Sequence, residues 1–128
     1  MCNQAKLSKT FFKEFSFSNK LPPEKITDTL GIKVGTSLSL PTEEPIKEGI
    51  INFNVDIRPK DYSELFYITF KISFLFDFNE NYDIEKSKQI LKDALPIAYN
   101  YLSERLKKIT ETLCVPPIDL PVEYFLKH

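Results

Sequence analysis

The sequence predicts an α+β domain in which a four-stranded antiparallel sheet is covered on one face by a long C-terminal helix. Two observations predict this class. Apolar residues recur at every second position in four segments between Leu7 and Phe78, the period of a strand with one buried face. After Phe78 they recur at three and four residues, the period of an amphipathic helix. Strands followed by helices within 128 residues indicate a single domain, residues 1–128.

The fourth segment, from Leu65 to Phe78, alternates most regularly. A strand that is apolar on one face and polar on the other belongs to an antiparallel sheet covered on one side. Burying each apolar side chain of this row contributes roughly 1.5–3 kcal/mol, so the rest of the chain should supply a cover. The even positions are all apolar: Phe66, Ile68, Phe70, Ile72, Phe74, Phe76 and Phe78.

The first segment, Leu7–Phe17, is rich in Phe but alternates imperfectly. Phe12 has the opposite parity to the three aromatic residues Phe11, Phe15 and Phe17, so either one ring faces the other way or a bulge intervenes. The connection at 18–31 contains a Pro-Pro pair, which rules out regular strand pairing there.

Two further apolar rows predict the second and third strands. The loop between them contains two Pro residues and ends at Gly49. The rows are Ile32, Val34, Leu38 and Leu40, and then Ile51, Phe53, Val55 and Ile57.

The helical pattern covers about eight turns, and Asn81 or Asp83 is suited to cap its start. Pro96 interrupts it, so we expect a kink or two abutting helices. A Pro-Pro pair at 116–117 ends the pattern, and a short final helix is expected after Pro121. The apolar face comprises Ile84, Leu91, Leu95, Ala98, Leu102, Leu106, Ile109 and Leu113, and Arg105 also lies on this side.

Composition argues against several classes of partner. The formal net charge is −1 with both signs interspersed, so the basic stripe typical of nucleic-acid binding is missing. No apolar run approaches the 18 residues of a membrane span. Met1–Lys6 lacks the apolar core of a secretory signal, so we expect a cytoplasmic protein. Cys2 and Cys114 would then be two free thiols, as is usual in the cytoplasm; a disulfide between them is the alternative.

Residues for catalysis are sparse, and we expect no enzyme, no metal and no cofactor. The single His is His128, so a Ser-His or Cys-His pair is not credible. Cys114 stands at the end of the apolar helix face and is expected to be a buried structural residue. Cys2, Cys114 and His128 do not have the spacing of a metal site.

The aromatic content exceeds what this architecture hides easily. Eleven Phe and six Tyr stand in a chain with one sheet and one main helix. Exposed apolar area beyond a few hundred Å² marks a partner or ligand surface. Composition alone favours a homo-oligomer interface with a tight aromatic core. The more specific alternative is a groove that binds apolar segments of other chains.

Three stretches, in order and with matching spacing, resemble SecB-type export chaperones. Phe12–Pro23 (FKEFSFSNKLPP) is similar to the first strand and Pro-bearing crossover of that family. Leu95–Tyr99 (LPIAY) resembles the apolar-Pro-Tyr-Ala stretch of its main helix, and Pro117–Phe125 (PIDLPVEYF) its closing segment. The order of elements agrees over nearly the whole chain.

The resemblance implies a Greek-key sheet in which the first strand returns beside the fourth. It also implies a tetramer, here expected as a dimer of dimers, that works as an ATP-independent holdase. Such a chaperone keeps unfolded or precursor polypeptides unaggregated, and in export delivers them to SecA.

Two departures from the family qualify the export role. SecA-docking members carry acidic residues before and after the Ser-Phe of the first strand. Glu14 keeps the first position, but Ser18 replaces the second. The acidic tail common in the family is absent, since the chain ends at Lys127-His128. We therefore expect weak SecA docking at Glu14 and Ser18, and a dedicated client such as an antitoxin is a serious alternative to export.

The leading hypothesis is a SecB-like chaperone whose apolar grooves bind clients through many weak sites. A small-molecule or lipid binder and a purely structural oligomeric module are the rivals. The candidate groove residues are Phe11, Phe12, Phe15, Phe17, Leu21, Tyr99, Tyr101, Tyr124 and Phe125.

Overall fold

The computed structural model describes residues 4–22, 30–61, 64–115, 118 and 120. Within these residues the strands form one antiparallel sheet in the order β1-β4-β3-β2, so β1 lies beside β4. One long helix follows the strands, which confirms the predicted α+β class. The elements are β1 (Ala5–Asn19), β2 (Leu30–Ser39), β3 (Ile46–Pro59), β4 (Phe66–Tyr82) and α1 (Ile84–Thr112).

The core lies between α1 and one face of the sheet, called here the helix-side face; the other is the open face. The even row of β4 is buried from Phe66 to Phe76, and the predicted apolar row of β3 is buried as well. The helix packs chiefly against β3. Its buried residues are Ser87, Ile90, Leu91, Ala94, Ala98, Tyr99, Leu102, Leu106 and Thr110.

The start of α1 is capped from two directions. The Asp83 carboxylate accepts a hydrogen bond from the Lys86 backbone N–H at 2.8 Å, which confirms Asp83 as the cap. The Glu44 carboxylate, from the loop between β2 and β3, accepts from the Ile84 N–H at 3.1 Å. Two of the N–H groups that lack partners inside a helix are thereby satisfied.

The helix continues through Pro96 without interruption, so of the two predicted alternatives, a kink or two abutting helices, the second is excluded. A proline inside a helix leaves the carbonyl four residues earlier without its partner. Pro96 and Lys92 are both exposed, so the lost bond lies on the solvent side of α1 rather than in the core. The lost bond is therefore tolerated without a break.

Cys114 ends the helix and is exposed, so the prediction of a buried Cys is wrong. Its φ of 57° is left-handed, the Cys114 N–H bonds to the Glu111 carbonyl, and the Val115 N–H bonds to the Thr110 carbonyl. These bonds form a Schellman motif, which turns the chain back toward the core. Cys114 therefore occupies a position set by backbone geometry rather than by packing.

Beyond this turn, Val115, Ile118 and Leu120 are buried in the core, as expected for an apolar tail that docks. The predicted final helix after Pro121 lies outside the described residues. No helix in the described part of the chain is long and apolar enough to span a membrane.

A register shift at Lys13 determines which rings of β1 share a face. The extra residue lies between Phe12 and Glu14, and a bulge of this kind reverses the alternation beyond it. Phe12 and Phe15 therefore both lie opposite core residues of β4. Phe11 lies opposite Ser73, on the open face. The predicted bulge is confirmed, and Phe11, not Phe12, is the ring that faces away.

Candidate functional site

A surface groove of about 220 Å³ runs between β1 and the C-terminal part of α1. The strand supplies two aromatic rings, and the helix supplies side chains spaced by three and four residues, which lie on one side of a helix. We call it the β1–α1 groove. Its lining residues are Phe12, Phe15, Arg105, Lys108, Ile109, Thr112 and Leu113.

The floor of the β1–α1 groove is an aromatic cluster fixed to the core. The Phe12 and Phe15 rings are 6.4 Å apart in edge-to-face contact, and each contacts Phe70, at 5.8 and 6.3 Å respectively. Phe70 is only 2% exposed, whereas Phe12 and Phe15 are 45% and 46% exposed. The two outer rings are thus held in place by a buried ring while nearly half of their surface is open to a ligand.

The helix side of the groove carries two cations. Arg105 and Lys108 are exposed, and neither forms an ion pair with another described side chain. On the strand side, Glu14 faces the other way and pairs with Lys71 across β1 and β4, with 3.6 Å between Nζ and Oε2. The β1–α1 groove therefore combines an apolar floor with a positively charged wall.

Three other predicted groove residues lie outside the β1–α1 groove. Phe17 is half-buried against Phe66, with 6.1 Å between ring centroids, and Leu21 packs against the core from the end of β1. Phe11 is 42% exposed on the open face. These residues do not line the β1–α1 groove.

Two predicted groove residues belong to α1. Tyr99 is 6% exposed and contacts Phe53 at 6.4 Å between centroids. Tyr101 is half-buried, 6.2 Å from the Phe74 ring. Both pack on the core rather than in the groove. The last two predicted residues, Tyr124 and Phe125, lie outside the described residues.

The sequence pattern pointed to Ile109 and Leu113 as helix-face residues but not as groove residues. The sequence pattern does not single out Arg105, Lys108 and Thr112 as site residues. Their spacing shows that they share one side of α1. Which strand lies opposite that side is decided by the order of the sheet.

The open face is polar and of mixed charge. A shallow cavity of about 510 Å³ is lined there by Glu14, Lys33, Asp56 and Lys71, among others. Asp56 also accepts from the Arg58 guanidinium at 2.8 Å. Opposite charges placed this close largely cancel at a distance, so this face has no coherent negative field.

Ser18, the other predicted SecA-docking residue, is half-buried opposite Tyr67 on the open face. The Tyr67 ring lies under the Arg58 guanidinium, 5.0 Å from its centroid. Ser18 thus stands opposite an aromatic ring of β4, with no acidic partner on the neighbouring strand at this position. In the described part of the chain, no three His, Cys, Asp or Glu side chains are grouped to hold a metal ion.

Comparison with known proteins gives matches in structure only. No protein-family model matches the chain, and no curated protein matches it by sequence. The Mycobacterium tuberculosis Rv1957 SecB-like chaperone, solved with a ChAD peptide from the Rv1956 HigA1 antitoxin, matches with a TM-score of 0.64. The match has 15% identity and covers 93% of this chain and 87% of that chain.

A protein of unknown function from Streptococcus agalactiae also matches, with a TM-score of 0.51 and 13% identity. That match covers 92% of this chain and 97% of that one. Both alignments include the sheet and the helix, since they cover more than nine tenths of this chain. The described chain therefore has a SecB-like fold.

Proposed function

We propose that this protein is an ATP-independent chaperone of the SecB type, which holds unfolded polypeptides by their apolar segments. The observation that carries the proposal is the aromatic floor of the β1–α1 groove. Phe12 and Phe15 are nearly half exposed, yet both are fixed on buried Phe70. Exposed rings on a rigid base bind apolar groups without a large ordering cost. The similar fold of a chaperone solved with an antitoxin peptide supports the same role.

The mechanism requires no cofactor. A client segment places an aromatic or aliphatic side chain over Phe12 and Phe15, against Ile109 and Leu113 of α1. Each such contact is weak, and a long unfolded chain gains affinity by occupying the grooves of several protomers at once. We propose a cytoplasmic homotetramer, built as a dimer of dimers, for this reason. We also propose that the sheet is a Greek key, that α1 is kinked at Pro96 and that a short helix follows it, as in SecB-type chaperones.

The test is suppression of client aggregation. A chemically denatured enzyme is diluted into buffer with the protein, and aggregation is followed by light scattering. We expect the Phe12→Ala/Phe15→Ala double variant to lose most of its protective effect. Phe11→Ala is the matched control, because Phe11 stands on the same strand with similar exposure but on the open face. It should protect as well as the unsubstituted protein.

Three outcomes would count against this proposal. Absence of protection by the unsubstituted protein would reject the holdase role. Equal loss in Phe11→Ala and the double variant would show that the β1–α1 groove is not the client site. Lipid that copurifies and is displaced only by apolar small molecules would favour the rival, a small-molecule or lipid binder.

A further inference from the structure

We propose that the β1–α1 groove selects apolar client segments that are flanked by acidic residues. This inference rests on the proposed chaperone function and specifies its substrate class. It follows from the two cations on the helix side of the groove, Arg105 and Lys108, which border the same space as the Phe12 and Phe15 rings.

Among the described residues, no acidic side chain forms a salt bridge with either cation of the groove. Glu104 and Glu111 also stand on α1, but neither forms an ion pair with Arg105 or Lys108. On the strand side, Glu14 points to the open face and pairs with Lys71 there. Neither cation is held in a salt bridge by a described side chain, so both can pair with a ligand carboxylate, although Glu104 and Glu111 on the same helix reduce the net positive field.

The spacing matches an extended peptide. Arg105 and Lys108 are three residues apart, about 4.5 Å along the helix axis, and they lie on one side of α1. Successive residues of an extended chain are about 3.3 Å apart. A carboxylate one or two positions from the apolar anchor can therefore reach one of the cations while the anchor lies over Phe12 and Phe15. A basic residue at the same position is repelled.

The test uses three labelled peptides with the same Leu-Phe-Leu centre, flanked on both sides by Glu, Gln or Lys. The affinity of each peptide for the protein is measured by fluorescence anisotropy at low and high salt. We expect the Glu-flanked peptide to bind about threefold to tenfold more tightly than the Gln-flanked one, and the Lys-flanked peptide most weakly. Raising the salt should narrow this difference, because screening weakens exposed charge pairs but not apolar contact.

The decisive variant is Arg105→Gln/Lys108→Gln, which should bind all three peptides with nearly equal affinity. Lys86→Gln/Lys92→Gln is the control, since it removes the same two charges from exposed positions of the same helix. Lys92 is about 20 Å from Arg105 along the axis, well beyond the Debye length at physiological salt. The control should keep the preference for the Glu-flanked peptide.

The outcomes separate this inference from the function on which it rests. If no peptide binds and client aggregation is not suppressed, the chaperone function itself is rejected. If all three peptides bind equally, and Phe12→Ala/Phe15→Ala weakens them equally, the groove binds clients but does not select by charge. A preference that survives Arg105→Gln/Lys108→Gln would likewise overturn the proposal.

Discussion

Lys13 shows how much one residue decides in this protein. If the strand alternated regularly through Lys13, Phe12 and Phe15 would lie on opposite faces of the sheet, because their positions differ by three. With the bulge, both rings rest on Phe70 and form the floor of the groove. Bulges often re-aim side chains at functional sites, and here the bulge brings the two aromatic rings of the candidate site together.

The first prediction compares buried Phe residues with a half-exposed one. Phe70 and Phe74 are 2% and 0% exposed, so Phe70→Ala and Phe74→Ala should each lower the free energy of unfolding by about 3–5 kcal/mol. Phe12→Ala should cost much less, because its ring is half exposed already. Urea denaturation measures all three. Equal losses in Phe12→Ala and Phe74→Ala would contradict the assignment of Phe12 to the surface.

The second prediction concerns the helix C-terminus. Cys114 has a φ of 57°, a conformation that strains every residue with a Cβ and suits glycine. Cys114→Gly should therefore raise the free energy of unfolding, by about 0.5–1 kcal/mol. Leu113→Gly is the control: with a φ of −82° the wild-type residue is unstrained, and the substitution should destabilise. Destabilisation by Cys114→Gly would show that the Cys side chain has a role that the backbone does not explain.

At the scale of elements, the close approach of α1 to β3 depends on Gly49. This residue was expected to end a loop, but it is buried within β3. A Cβ at Gly49 would lie 2.7 Å from Leu91 Cδ1 and 2.9 Å from Leu40 Cδ2. Leu91 is fully buried, so it cannot move away without displacing its own neighbours. Glycine is needed here because the helix leaves no room for a side chain.

Gly49→Ala should therefore lower the free energy of unfolding by about 1–3 kcal/mol through overpacking. Gly35→Ala is the matched control on β2, because a Cβ there would meet nothing closer than 3.8 Å. Alanine restricts the unfolded chain more than glycine does, so this control should be neutral or slightly stabilising. Thermal unfolding of both variants measures the difference. A stable Gly49→Ala protein would mean that α1 shifts easily relative to β3.

At the scale of the whole molecule, β1 is exposed in two ways. It is an edge strand of 15 residues, and it carries three of the four large apolar residues that are exposed in the described chain. Unpaired apolar edges promote pairing with another chain, and natural proteins usually protect them. Backbone pairing of β1 with a second copy would protect the edge. It would also leave the groove open, because the rings stand above the sheet rather than along its edge.

This arrangement leads to the prediction of an oligomer, most simply a tetramer. Size-exclusion chromatography with multi-angle light scattering at micromolar concentration should show a mass several times that of the 14.9 kDa chain. A mass of one chain over the whole concentration range would exclude the oligomer. The groove could then still be tested, but without the gain in affinity from several linked sites.

The last prediction concerns SecA, whose affinity we expect to be poor. Glu14 is paired with Lys71, and Ser18 stands where, by the resemblance, SecA-docking SecB chaperones carry a second acidic residue. Ser18→Glu should strengthen binding, mainly through the association rate and most clearly at low salt. Titration against SecA of the same organism at two salt concentrations measures this, with Ser37→Glu on β2 as the control. Tight, salt-insensitive binding by the unsubstituted protein would restore an export role.

Most of the secondary structure follows from local patterns in the sequence. The alternation of Ile51–Ile57 and of Phe66–Phe76 specified which side chains are buried, because a strand offers only two faces. Spacing by three and four residues specified the helix and its buried side, and Asp83 marked its start because a carboxylate suits an N-cap. These features are local, so a short window of sequence contains the information that sets them.

The β1–α1 groove, in contrast, depends on contacts between residues that are far apart in the sequence. The pairing of β1 with β4 is not local, and it fixes both the bulge at Lys13 and the strand that faces Arg105 and Lys108. The exposure of Cys114 and the burial of Gly49 likewise depend on where the chain turns and what packs above it. Parity along a strand is lost wherever one extra residue enters, and only the partner strand shows where that happens.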